Sequence, residues 1–330
     1  MAGAEKTRTP GTATAAPAPN GRVEGAGVSS VDDQRTERVV IPDAEELAIA
    51  HPGLEGEITR TGSGRGASTV TLRHAGELTL VSVDIGFPLL AWSEAASDAV
   101  VLSMVTRGVA GARWNGEDLD AGSVLVQSPG SSHHGVQPDG LRYEMIVAKT
   151  GLLESVASDL ELGLSTHGGF LEHDAASRIL KEYGSLGQGG SDDLLLAVVS
   201  VLSAEKRGTS VGSYRRVTSR EVVRRVMGYL EATGTWMPSS LELCRAAVVS
   251  ERRLQQAFHD VYDMPPSEFL RQRALSAARG LFERNGSSEV RVAEVAADLG
   301  FDHAGRFAHY YASLFGEAPS ETLAAPSSSR

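Results

Sequence analysis

Two stretches near the C-terminus, LQQAFHDVYDMPPSEFL at 254–270 and FAHYYASLFGEAPSETL at 307–323, decide the fold when one is laid over the other. Leu254, Phe258, Val261 and Tyr262 fall on Phe307, Tyr311, Leu314 and Phe315. Pro266-Ser267-Glu268 falls on Pro319-Ser320-Glu321, and Leu270 on Leu323. In each copy the apolar residues recur at i, i+4, i+7 and i+8, the period of one helix face, and the run meets a proline that cannot continue a helix. Joint agreement in spacing, aromatic placement and terminator marks a duplicated unit.

Upstream of each copy lies a short amphipathic helix. In SLELCRAAVV the expected buried residues are Leu241, Cys244 and Val248, after which Ser250 caps the next helix by accepting from its free N–H groups. In RVAEVAADLGF they are Val292, Val295, Ala296 and Leu299, with Gly300 turning the chain and Asp302 placed to cap. Helix, tight turn and capped helix form a helix-turn-helix, whose second helix enters the DNA major groove. With the apolar faces turned inward, Arg252, Gln255, Gln256 and His259 point outward in the first copy, and His303, Arg306 and His309 in the second. Arginine pairs with guanine and glutamine with adenine, whereas residues at the edge hold phosphate. The alternative is a solvated face on a helical bundle.

CRAAVVSERRLQQAF, PPSEFLRQRALSAARGLF, VAEVAADLGF and GRFAHYYASLFGEAPSETL resemble the DNA-binding domain of AraC/XylS transcription regulators, over about 220–323. Leu243-Cys244 and the ending FGEAPSETL look closest to the branch of ethanolamine-operon and anthranilate-type regulators. The resemblance implies DNA contacts from Ser250, Arg252, Arg253, Gln255, Gln256, His303, Arg306 and His309, and a linker helix through RALSAARGLFER. It implies operator DNA, a small organic effector and RNA polymerase as partners, an activator's role, a homodimer, and no cofactor. Four positions depart from the family pattern: Asp263 stands where glycine is usual, which suggests an altered helix exit. His309 stands where arginine is frequent, and DHAG replaces WHLG.

Upstream the pattern changes. STVTLRHAG, ELTLVSVDIGF, AVVLSMVTRG, AGARWNG, GSVLVQSPG and LRYEMIVAK are β-branched runs of period two, separated by turn residues, as in an antiparallel barrel or sandwich. Asn115-Gly116 suits a two-residue hairpin turn. The family resemblance implies that this part is a cupin-like module for effector binding and dimerisation. Its candidate effector residues are Trp92, Arg107, Trp114, His133 and His134. Neighbouring histidines on a strand point to opposite faces, and no third ligand is spaced to complete a metal site, so no metal is expected. A metal-dependent cupin enzyme with a helical appendage is the competing reading. No Ser-His-Asp set, phosphate loop or paired carboxylates supports catalysis.

The expected layout is α+β: a disordered tail at 1–38, rich in Ala, Gly, Pro and Thr, a β-domain at 39–150, a helical linker at 151–214, and an all-α domain with two helix-turn-helix units at 215–325. Within the linker, Leu194, Leu195, Val198, Val199 and Leu202 form a stripe that packs either on its own domain or on a second subunit. The net charge of −11 is uneven: from Arg215 onward there are about 15 basic and 14 acidic residues, so the deficit lies upstream and does not exclude a local DNA-binding surface. A single cysteine, Cys244, excludes an internal disulfide. With no secretory h-region or membrane-length apolar run, the chain reads as cytoplasmic, nucleoid-associated when on DNA.

Overall fold

The computed structural model describes residues 36–166, 168–186, 191–204, 218–285 and 290–325. Strand β1 (Thr36–Ile41), helix α1 (Ala44–Ile49) and strands β2 (Leu54–Arg60), β3 (Ser68–Ala75), β4 (Leu78–Asp84), β5 (Leu89–Ala95) and β6 (Ala99–Arg107) come first. Short β7 (Arg113–Trp114) and β8 (Glu117–Asp118), then β9 (Val124–Gln127), β10 (Ser132–Gln137) and β11 (Arg142–Lys149), complete the main β-region. Helix α2 (Thr150–Asp159), strand β12 (Gly169–Phe170) and helices α3 (His173–Gly184) and α4 (Ser191–Ala204) follow.

These strands make two antiparallel sheets, one of order β1-β3-β4-β11-β6-β9-β12 and one of order β2-β5-β10-β7-β8. As expected, Asn115 and Gly116 both take positive φ, at 54° and 88°, and join β7 to β8. Period two decides what each residue of the larger sheet meets. Leu80, Leu102 and Ile146 pack outward under α2, α3 and α4, while Val81, Val101 and Met145 point into the space between the sheets. Burial on both faces explains why β6 reads as an almost unbroken apolar run.

The structure corrects the tail boundary. Thr36–Arg38 belong to β1, because the β-branched run Val39-Val40-Ile41 extends a ladder in which Thr36 opposes Arg73. The rest of the expected tail, and 187–190 and 205–217 of the expected linker and DNA-binding region, lie outside the described residues. The two possibilities for the linker stripe also separate: Leu194, Val198, Val199 and Leu202 are completely buried, against the chain's own larger sheet. That face is therefore not available to a second subunit.

Helices α5 (Ser219–Thr233), α6 (Ser240–Ala247), α7 (Glu251–Tyr262), α8 (Pro266–Asn285), α9 (Val292–Asp298), α10 (Ala304–Phe315) and α11 (Pro319–Ala324) form the C-terminal region. The first four close around Phe258, Tyr262 and Phe269, and the second half of α8 joins α9–α11 around Phe282, Phe307, Tyr311 and Phe315. Pro266 and Pro319 open α8 and α11 rather than ending the helices before them. A proline costs nothing in the first turn, where its missing N–H has no partner to lose.

Candidate nucleic-acid interface and effector cavity

Each duplicated unit is a helix-turn-helix, α6–α7 and α9–α10. Helix α6 starts in a capping box, with Ser239 and Glu242 each accepting from the other's backbone N–H. This fixes which face is buried: Leu243 and Ala247 turn inward, whereas the expected Leu241 and Val248 are 59 % and 77 % exposed. Val248 leaves the helix in the left-handed region at φ 56°, which swings its side chain off the buried face. Cys244 is half-buried at the edge of the same core, where burial raises its thiol pKa. Ser250 caps α7 as expected, its hydroxyl accepting from the Arg253 N–H. Val295, Ala296 and Leu299 are the buried face of the second unit, with Val292 half-buried. Asp302 does not cap α10; His303 occupies that position, one residue on, and its side chain makes no cap hydrogen bond.

The departure at Asp263 has no effect on the path of the chain. Asp263 takes φ 58° and its N–H donates to the His259 carbonyl, as Gly316 at φ 76° does to Ala312 in the second unit.

On α7, Arg252, Gln256 and His259 are exposed and Gln255 is half-buried; on α10, His303, Arg306 and His309 are exposed. Gln256 donates to Asp260 at 2.7 Å. Arg253 lies inward of this face, donating to the Ser219 hydroxyl at 3.1 Å.

The opposite side of the helical region is docked on the smaller sheet. Arg273 of α8 forms a two-pronged pair with Glu57 of β2, at 2.6 and 3.0 Å, and lies over the Trp236 ring. The Arg60 N–H donates to the Ser276 hydroxyl, and Arg284 pairs with Asp43 at 3.0 Å. Gly280 makes that approach possible, since a Cβ there would lie 2.8 Å from an Asp43 oxygen. Leu90, Trp92 and Val136 of β5 and β10 join the core of α5–α8.

The other face of the same sheet walls a narrow cavity of about 50 Å³. Ala91, Ser93 and Gln137 line it from the smaller sheet, and Ser103, Gln127, Tyr143 and Met145 from the larger. Of the expected effector residues, Trp92 and Trp114 line the cavity and three do not. Arg107 is exposed and donates to the Gly140 carbonyl. His133 is buried behind Trp114, stacked on its ring at 5.8 Å and held between Asn115 and Ser131. His134 faces the other way, to Tyr262 of α7. Both histidines sit in β10, so alternation carries them to opposite faces as expected, and neither reaches the cavity. The sequence reading missed His51, Gln127, Gln137 and Tyr143. The available signal was a polar residue in phase with the core, as in VLVQ at 124–127.

Two helix-turn-helix units with exposed, polar second helices define a DNA-binding transcription regulator. A helix-turn-helix domain family matches residues 243–325. The XylDLEGF operon transcriptional activator 2 of Pseudomonas putida is 30 % identical over 126 residues, which cover 38 % of this chain and 80 % of that protein. Another XylDLEGF operon transcriptional activator of the same organism is 34 % identical over 99 residues, 30 % of this chain and 31 % of that protein, so the chain spans about a third of that relative. Among solved structures, the AraC-like transcriptional activator CuxR is 17 % identical, with 74 % of this chain and 95 % of that one covered and a TM-score of 0.38. The chain belongs to the AraC/XylS family of transcription regulators.

Proposed function

We propose that the chain is an effector-responsive activator that reads an operator with α7 and α10 and takes its signal from the cavity between the sheets. Arg252, Gln255 and Gln256 read base edges in one major-groove segment, and Arg306 and His309 in the next. Ser250, Arg253 and His303 hold the backbone, and α8 fixes the spacing between the two segments. The DNA-binding part is 215–325, the β-domain 36–150 and the helical linker 151–214, working as a homodimer that recruits RNA polymerase.

The observation that carries this reading is the pair of exposed polar ridges on equivalent helices of a duplicated unit. The coupling rests on the smaller sheet, a single layer with the cavity on one face and the DNA-binding region on the other. An effector that fits the cavity in one docking arrangement better than in another shifts the balance by that difference in affinity. No metal or cofactor enters this scheme.

The test uses duplex DNA enriched from a random pool by the full chain. Each bidentate arginine contributes about 1–3 kcal/mol of discrimination. Arg252→Ala with Arg306→Ala should therefore weaken specific binding at least about thirty-fold in a gel-shift titration, with an unchanged circular dichroism spectrum. Wild-type affinity in the double variant would move the reading face elsewhere.

A further inference from the structure

The cavity makes a chemical demand on its occupant. His51 Nδ1 lies 2.7 Å from the Leu47 carbonyl, which can only accept, so that nitrogen carries the proton. Nε2 must then accept from the Tyr143 hydroxyl at 2.9 Å. Gln137, which lines the same cavity, has its amide oxygen buried and without a partner. Gln127 meets the Ser103 hydroxyl at 3.0 Å through one end of its amide, and the other end is buried and without a partner. Both glutamines line the cavity and are at least nine-tenths buried. Trp92 Nε1 and Ser93 Oγ, on residues that line the same cavity, are likewise buried and without partners; each such group costs about 1–3 kcal/mol, so the site favours a molecule that both donates and accepts hydrogen bonds.

Charge is settled by what else stands there. The residues lining the cavity include no lysine or arginine, and the carboxylate at its mouth, Glu55, is exposed. Burial holds His51 below the ordinary histidine pKa, so it offers no positive charge at neutral pH. A carboxylate ligand would bring a buried charge with no counter-ion. The remaining wall is apolar, including Leu125, Met145 and the ring of Trp114.

Building on the reading of this cavity as the effector site, we infer that the effector is an uncharged, mainly apolar molecule carrying a polar group that both donates and accepts hydrogen bonds, a hydroxyl or a primary amide, and not a carboxylic acid.

Two isosteric probes separate the chemistries: 2-naphthamide, neutral with an N–H donor, and 2-naphthoate, its anionic counterpart. Each is titrated by calorimetry into the full chain and into Ala91→Phe and Ser103→Phe, which fill the cavity from opposite sheets, with folding checked by circular dichroism. The expected result is amide binding at least about thirty-fold tighter than naphthoate, lost in both filled variants, and about ten-fold weaker in Gln137→Leu. Naphthoate binding as tightly as the amide, and lost in the filled variants, would overturn the ligand class while leaving the effector cavity standing. If neither probe binds, or binding survives in a folded filled variant, the cavity reading itself fails and the inference with it.

Discussion

The Tyr262 hydroxyl of α7 lies 2.9 Å from Nδ1 of His134 in β10, a buried hydrogen bond between side chains 128 positions apart. The rings meet edge to face at 5.7 Å. Tyr262 also stacks on Phe269 at 4.9 Å, so one residue belongs both to the core of the first helix-turn-helix and to its seam with the β-domain. Removing the hydroxyl leaves a buried ring nitrogen without its partner. Tyr262→Phe should cost about 1–3 kcal/mol, read as a lower urea midpoint with unchanged m-value.

The same seam makes stability depend on acidity. Burial, aided by the nearby Arg220, holds His133 down to about 4 and His134 down to about 3, against an ordinary 6.5. The unfolded chain therefore takes up protons before the folded one does. The stabilisation from both rings is complete above 6.5 and is lost as the pH falls from there toward 4 and 3. Where only the unfolded chain protonates both rings, stability should drop by up to about 2.7 kcal/mol per pH unit. Urea midpoints between pH 7.5 and 4.5 measure this slope, and His133→Asn or His134→Asn should flatten it, whatever either does to the stability at neutral pH.

Asp263 and Gly316 close equivalent helices in the same left-handed conformation. A side chain there is strained in a way that glycine is not. Asp263→Gly should stabilise by about 0.5–1 kcal/mol, and Gly316→Ala should destabilise by a similar amount or more. Thermal unfolding of the two variants reads both signs.

Arg273 is buried, with both prongs on Glu57 and its plane over Trp236. Arg273→Ala strands the carboxylate and removes the stacking, which should cost about 3 kcal/mol. Hydrogen exchange should quicken at β2 and α8 before it does at the outer sheet. Arg273→Lys should restore little, since an ammonium cannot make the parallel pair.

The duplicated unit could be read from sequence because it is local: apolar spacing of 3.6, a capping serine and a turn residue all lie within a few positions of each other. Strands such as Val124–Gln127 were visible for the same reason. The failures were of rotation and of partner. A capping box at Ser239 and a left-handed Val248 turned α6 so that Leu243, not Leu241, faces inward, a rotation that apolar spacing alone leaves undetermined. His133 and His134 look like ligand-binding residues on composition. Their roles depend on Trp114 and Tyr262, contacts that exist only once β10 lies between its neighbours. Gln137, Tyr143 and His51 matter because they line one cavity, to which three separate elements bring them.

Gly280 gives up helix propensity in the middle of α8, and a methyl group there would strike Asp43. The DNA-reading half is thus not an interchangeable cassette. A chimera that grafted a relative's C-terminal third onto this β-domain would keep the relative's operator preference yet lose the effector response proposed above, unless Arg273, Ser276 and Gly280 were built into the graft. The address is portable; obedience to the signal is written across the junction.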